Sequence, residues 1–140
     1  MKNWVLYSLI SMFFAGLTSV IAKMGLKNVS SDTGLAIRTI VVFVLVWINA
    51  IAFQSVKDFK NLTKQDGMLL AISGITTSLS WIFYYKAIKI GNVSQVALID
   101  KASILITLAL SFLILNEQFT WKIALGAAFI LAGLLILTFK

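Results

Sequence analysis

The chain has 140 residues, 60% of them hydrophobic and 12% charged, with no proline, cysteine or histidine and a formal charge of +7. A mean hydropathy of +0.98 lies far above the range of soluble domains and defines an integral membrane protein. The missing cysteines and histidines exclude disulfides, thiol catalysis, thiolate metal sites and imidazole proton shuttles.

Five apolar runs follow one another, at about 4–22, 35–53, 67–85, 95–115 and 121–139. Each is roughly 20 residues long, which at ~1.5 Å per residue crosses a hydrocarbon core of ~30 Å. Only helices satisfy their own backbone there, so the runs predict an all-α protein of five transmembrane helices in a single domain. The lysines gather at the ends of the runs, where they anchor helices at the interface, so the positive charge points to membrane lipid rather than nucleic acid.

The first run exceeds the ~7–15 residues of a signal-peptide core and precedes four more spans, so it reads as a retained helix. Ser8, Ser11, Ala15, Thr18, Ser19 and Ala22 lie near one of its faces by helical spacing. Small and hydroxyl-bearing faces serve either close helix packing or the lining of a cavity; Ser11 and Ala15 are the cavity candidates. The connection 23–33 carries the turn and capping residues Asn28, Ser30, Ser31, Asp32 and Gly34. Arg38 follows, one turn inside the second run, where it either snorkels to the headgroups or points inward, as an anion contact or as partner to a carboxylate such as Asp100.

The loop 54–66 holds Lys57, Lys60 and Lys64 with Phe59 and Leu62 between them, and reads as an interfacial connector. The third run is polar for a span. Ser73, Thr77, Ser80, Trp81 and Tyr84 share a face, a wall of hydroxyls and rings fitted to the protein interior, although Tyr84 and Tyr85 also suit an interfacial aromatic belt. Lys86 to Ser94 reads as a tight basic connection, with Gly91 as a helix stop.

In the fourth run Asp100, Ser103, Thr107 and Ser111 recur at intervals of three, four and four, a polar stripe on an otherwise apolar helix. Asp100 and Lys101 are the pair of intramembrane charges, and their side chains diverge by about 100° on a regular helix. Asp100, Lys101 and Arg38 are therefore the candidates for charge coupling or ion pairing, one of the adjacent two being expected to pair with another helix. Asn116 to Thr120 turns the chain, with Thr120 placed to cap the last helix. There Ala124, Ala128 and Ala132 recur every fourth residue and Gly126 and Gly133 lie seven apart, a small-residue face for packing on a neighbouring helix or a second subunit.

An odd number of spans puts the termini on opposite sides of the membrane. Of the 12 basic residues, Lys2, Lys57, Lys60, Lys64 and Lys122 fall on the side of the amino terminus and the other seven on the opposite side. This is too even a division to set one orientation.

The last third carries more specific patterns. Ala87, Gly91 and Ser94 form A-x-x-x-G-x-x-S, Ile99 to Ser103 form I-D-K-x-S, Glu117 to Thr120 form E-x-x-T, and Gly126 and Gly133 mark the last helix. In these the sequence resembles the EamA domain of the drug/metabolite transporter superfamily, and in length its short single-domain members. The resemblance implies one inverted-repeat half of a transporter, moving small metabolites or drug-like solutes by alternating access through a cavity built mainly from the first four helices, with the last helix peripheral. Related small multidrug transporters carry a glutamate in their first helix for proton coupling; here that helix has no acid, and Asp100 is the only deep carboxylate.

The expected function is export or exchange of a small solute at a cell membrane of the prokaryotic plasma or inner type. The expected assembly is a dual-topology antiparallel homodimer, or a heterodimer with a related chain. The cavity candidates are Ser11, Ala15, Ser73, Thr77, Trp81, Tyr84, Asp100, Ser103 and Thr107. The alternative is a non-transporting subunit that packs on a partner transporter or flippase component. No cofactor, metal or enzymatic activity is expected, since no phosphate loop or paired-carboxylate motif is present.

Overall fold

A computed structural model describes residues 3–53 and 55–138; Lys2, Gln54, Phe139 and Lys140, which enter the span and charge readings, lie outside the described residues. Among the described residues there is no strand. The helices are α1 (Asn3–Gly25), α2 (Ser31–Ala52), α3 (Lys64–Ile90), α4 (Val93–Asp100), α5 (Ser103–Ile114) and α6 (Trp121–Thr138), with a 3-10 segment at Ser55–Asn61. Three of the runs long and apolar enough to cross a membrane are α1, α2 and α3, and a fourth is Val93–Ile114. The 18 residues of α6 reach ~27 Å, just under the usual hydrocarbon thickness. The chain is thus an all-helical, multi-pass membrane protein.

The described residues up to Ile90 and those from Gly91 onward form two compact units. In the first, α3 is the shared surface against which α1 and α2 pack, and the 3-10 segment lies on α2. Its helix starts are written in side chains. Ser30 caps α2 by accepting from Thr33 N at 3.1 Å. Thr63 and Asp66 form a reciprocal capping box, in which Asp66 N donates to Thr63 Oγ1 at 3.1 Å and Thr63 N donates to Asp66 Oδ2 at 3.3 Å. This box starts α3 three residues before the expected 67. The helix also runs past 85 to Ile90, so Lys86 and Lys89 belong to its final turns and not to a connection. A run of 27 residues spans ~40 Å, longer than the bilayer core, and so carries both basic ends to the interface.

Leu26, Tyr85 and Ile88 are the buried apolar side chains of this unit, and Ser19 is its buried hydroxyl. Leu26 lies over Gly34, where a Cβ would overlap Leu26 Cδ2; only a glycine lets the start of α2 come this close to the end of α1. At the far end of α2, Trp47 stacks on Phe59 with ring planes 1° apart and centroids at 6.1 Å, which ties the 3-10 segment down.

In the second unit α6 packs on α4 and α5. The expected continuous span 95–115 comes as two helices. Lys101 N still donates four residues back, to Ala97 O, but Ala102, Ile104 and Leu105 donate three residues back, to Ile99, Lys101 and Ala102. Lys101 and Ala102 keep right-handed helical angles, so the chain tightens through a 3-10 turn instead of breaking. After α5, Asn116 turns left-handed at φ 52°. Glu117 folds back, accepting from Ser111 Oγ at 2.6 Å and donating its own N–H to Ser111 O at 3.4 Å. The Ser111 hydroxyl at the end of the stripe therefore holds the turn. Thr120 caps α6 by accepting from Ile123 N at 3.4 Å.

Candidate functional site

The first unit brings α1, α2 and α3 together around a cavity of ≈440 Å³. Its wall is apolar along Ile21, Ala22, Leu26, Val29 and Ile37, and its charged member is Arg38. The Arg38 guanidinium lies over the Trp81 ring at 4.1 Å from the centroid and 5.7 Å from that of Tyr85. Seven residues beyond the start of α2, its Cα is ~10 Å inside the helix, and a cation–π contact with the indole holds the guanidinium there. Among the described residues no carboxylate lies within ion-pair distance of Arg38.

One turn along α3, the Tyr84 hydroxyl meets Ser19 Oγ at 2.7 Å, joining α1 to α3 with a part-buried hydrogen bond. Ser19 Oγ also donates to Ala15 O at 3.3 Å. Below them the helix ends are clamped. Lys23 Nζ donates to Ile88 O at 2.7 Å and to Lys89 O at 3.2 Å, and Lys89 Nζ donates to Leu26 O and to Lys27 O. Two helix C-termini, with carbonyls that have no partner within their own helix, are each closed by a lysine of the other.

The sequence candidates divide accordingly. Trp81 and Tyr84 come to the α1–α2–α3 cluster, Trp81 under Arg38 and Tyr84 against Ser19. Ser11, Ala15, Ser73 and Thr77 are exposed in the single chain. Thr77 Oγ1 donates to Ser73 O at 2.8 Å, and Thr76 and Ser78 likewise donate to carbonyls three and four residues back. The polarity of α3 is thus largely satisfied on the helix itself, which is how such a segment tolerates hydrocarbon.

In the second unit a separate cleft of ≈580 Å³ is lined by Lys101, Ser103 and Thr107 on one side and by Phe129, Ile130 and Gly133 of α6 on the other. Asp100 pairs with its neighbour Lys101 at 3.7 Å; the long lysine side chain folds back across the tightened turn, where the sequence reading placed one partner on another helix. On α6, Ala124 is half-buried, whereas Gly126, Ala128, Ala132 and Gly133 are exposed. A Cβ at Gly126 or Gly133 would meet nothing within 4 Å. The small-residue face is thus open within one chain, and Gly133 also borders the cleft.

Ser19, Lys23, Tyr85 and Lys89 are absent from the sequence candidates. Ser19 lies on the small-residue face already visible on α1, which was a usable signal. The lysine clamp had a weaker one, a basic residue in the last turn of each helix.

An all-helical chain that crosses the membrane several times, with Arg38 and the Tyr85 ring lining a cavity among its first helices, belongs to the class of small multi-pass membrane proteins. The model of the EamA-like transporter family matches residues 2–139, and the chain belongs to that family. It is also 35% identical, over 136 residues covering 97% of this chain and 96% of the relative, to a Sinorhizobium sp. protein named "Uncharacterized transporter in cobO 3'region". No solved structure matches the chain.

Proposed function

We infer that the protein carries small metabolites or drug-like solutes across a prokaryotic cell membrane by alternating access, as a dual-topology antiparallel homodimer. The observation that carries this reading is the family match over residues 2–139 to a chain with one set of membrane helices and an even charge division. Transporters are commonly built from two inverted repeats with the binding site between them, and a weakly oriented unit supplies both halves by inserting in both directions. Each copy would contribute the Arg38–Trp81 and Ser19–Tyr84 groups of its first unit. Small residues open on α6 give a face on which a second helix can approach closely. The same open face favours the second reading, a non-transporting subunit packed on a partner.

The test begins with topology. A cytoplasm-active fluorescent reporter and, separately, a periplasm-active phosphatase are fused to the carboxyl end. Activity from both fusions is expected for the antiparallel homodimer; activity from one alone turns the search to an oppositely oriented related chain and raises the subunit reading. Solute flux is then measured in vesicles reconstituted with the full chain and with Trp81→Ala, Asp100→Asn and Ser103→Leu. Loss of flux in these variants is expected, and unchanged flux in all of them overturns the cavity assignment.

A further inference from the structure

We propose that the cavity between α1, α2 and α3 binds an amphipathic organic anion, a carboxylate or phosphate head on Arg38 with an apolar body along α1. The substrate class is an extension of the transport reading above and rests on it, whereas the binding site stands on its own geometry.

Arginine stays ionised at any accessible pH, and its five N–H donors lie in the guanidinium plane. The Arg38 guanidinium carbon lies 4.1 Å from the Trp81 centroid and Arg38 has no ion-pair partner among the described residues, so its donors suit the two oxygens of an oxyacid, the geometry in which arginine exceeds lysine. Arg38 is half-buried, a partly desolvated cation gains from an anion beside it, and among the described residues no carboxylate pairs with it. The unmet charge lines the cavity itself.

The remaining wall selects the body of the ligand. Thr18, the polar neighbour of Ile21 and Ala22, donates its hydroxyl to Phe14 O at 2.8 Å, so it offers a ligand little donor capacity. Ile21, Ala22, Leu26, Val29 and Ile37 are apolar, and ≈440 Å³ lies within the ~300–1,000 Å³ of small-molecule sites. The approach has the same sign as the site. Lys23 in the last turn of α1, Lys27 just beyond it, and Lys86 and Lys89 at the end of α3 outnumber Asp32 at this end of the unit. Clustered cations raise the local concentration of anions. Since Lys23 and Lys89 are engaged by carbonyl oxygens, Arg38 is the cation that can grip a head group inside the cavity.

The test uses the full chain in nanodiscs of zwitterionic phosphatidylcholine, with Trp4, Trp47 and Trp121 changed to Phe so that Trp81 reports alone. Decanoate and decyl phosphate are titrated against decyltrimethylammonium. A saturable change in Trp81 emission with the anions and none with the cation is expected. Arg38→Gln should weaken anion binding by roughly 10- to 100-fold, the range for losing a charged hydrogen-bond partner, and Arg38→Lys by less. Ala22→Phe, which fills the cavity and leaves the Arg38–Trp81 contact in place, should abolish binding, and circular dichroism checks that each variant remains helical. Equal binding of the cation, or unchanged affinity in both Arg38→Gln and Ala22→Phe, overturns the site.

Replacing part of the phosphatidylcholine with phosphatidylglycerol identifies the source of the anion. Competition with decanoate supports the site with a lipid phosphate as its ligand, and unchanged decanoate affinity supports it with a soluble solute. Binding without flux in vesicles overturns the transport reading and keeps the site. Flux of neutral or cationic solutes that ignores Arg38→Gln keeps the transport reading and overturns the anion as its substrate class.

Discussion

Lys23 and Lys89 exchange helix ends: Lys23 Nζ closes the carbonyls of Ile88 and Lys89 at the end of α3, and Lys89 Nζ closes those of Leu26 and Lys27 after α1. Each cation thus meets the negative end of a helix other than its own. Lys23→Met and Lys89→Met should each lower stability by ~1–3 kcal/mol, the usual cost of leaving acceptors of a charged donor unmet. Both lysines serve one junction, so the double variant should lose less than the sum of the two, with a coupling of ~0.5 kcal/mol or more. Thermal unfolding in detergent measures all three, and strict additivity would mean that the two contacts do not act as a unit.

The same junction depends on Gly34. A Cβ there overlaps Leu26 Cδ2, and Leu26 is buried, so the leucine has little room to move aside. Gly34→Ala should cost ~1–3 kcal/mol through overpacking. Leu26→Ala alone should cost ~2–5 kcal/mol through the cavity it opens. Gly34→Ala placed on Leu26→Ala should then cost much less than it does in the native chain, because the overlapping methyl is gone. The midpoint of the paired variant decides; an undiminished penalty would locate the strain elsewhere.

Much of the fold is legible in the residues because a bilayer limits it to helices. The apolar runs, the Ser30 cap, the Gly91 stop and the Thr120 cap are local signals. The early start of α3 is legible as well, since Thr63 and Asp66 have capping-box spacing, although Lys64 and Asp66 give 64–66 the polarity of a loop. The 3-10 tightening at Lys101–Ala102 has no proline or glycine to announce it. Across helices the sequence is weaker. A face can be assigned by spacing, which placed Trp81 and Tyr84 on one wall, but not the partner that face meets. That Arg38 lies on Trp81, 43 positions away in the numbering, depends on the packing of α2 against α3.

Ser19 and Tyr84 provide a milder test of the α1–α3 contact. Their 2.7 Å hydrogen bond is part-buried, and Ser19 Oγ keeps Ala15 O as a second partner. Tyr84→Phe should therefore cost only ~1 kcal/mol. Ser19→Ala removes both bonds and leaves the tyrosine hydroxyl without this partner, so it should cost as much or more. Adding Tyr84→Phe to Ser19→Ala should be close to neutral, since replacing both partners of a buried bond removes the unsatisfied group. A double variant clearly worse than Ser19→Ala would show that the phenol has another essential contact.

Asn116 carries the turn that reverses the chain between α5 and α6, and its φ of 52° sets what can replace it. Glycine reaches this region freely and asparagine more readily than other side chains, whereas a β-branched residue is strained there. Asn116→Gly should be near neutral, and Asn116→Val should destabilise by ~1–2 kcal/mol. Ser111→Ala should also destabilise, because Glu117 loses the 2.6 Å bond that draws it back onto α5; the exposed position limits this to ~1 kcal/mol. Combining Asn116→Val with Ser111→Ala should give less than the sum, since a turn already displaced no longer brings Glu117 to the serine. Thermal unfolding of the set, with cysteine cross-linking of α5 to α6 as a second readout, checks the order. Equal stability of the glycine and valine variants would mean that the turn does not hold the left-handed conformation in the membrane.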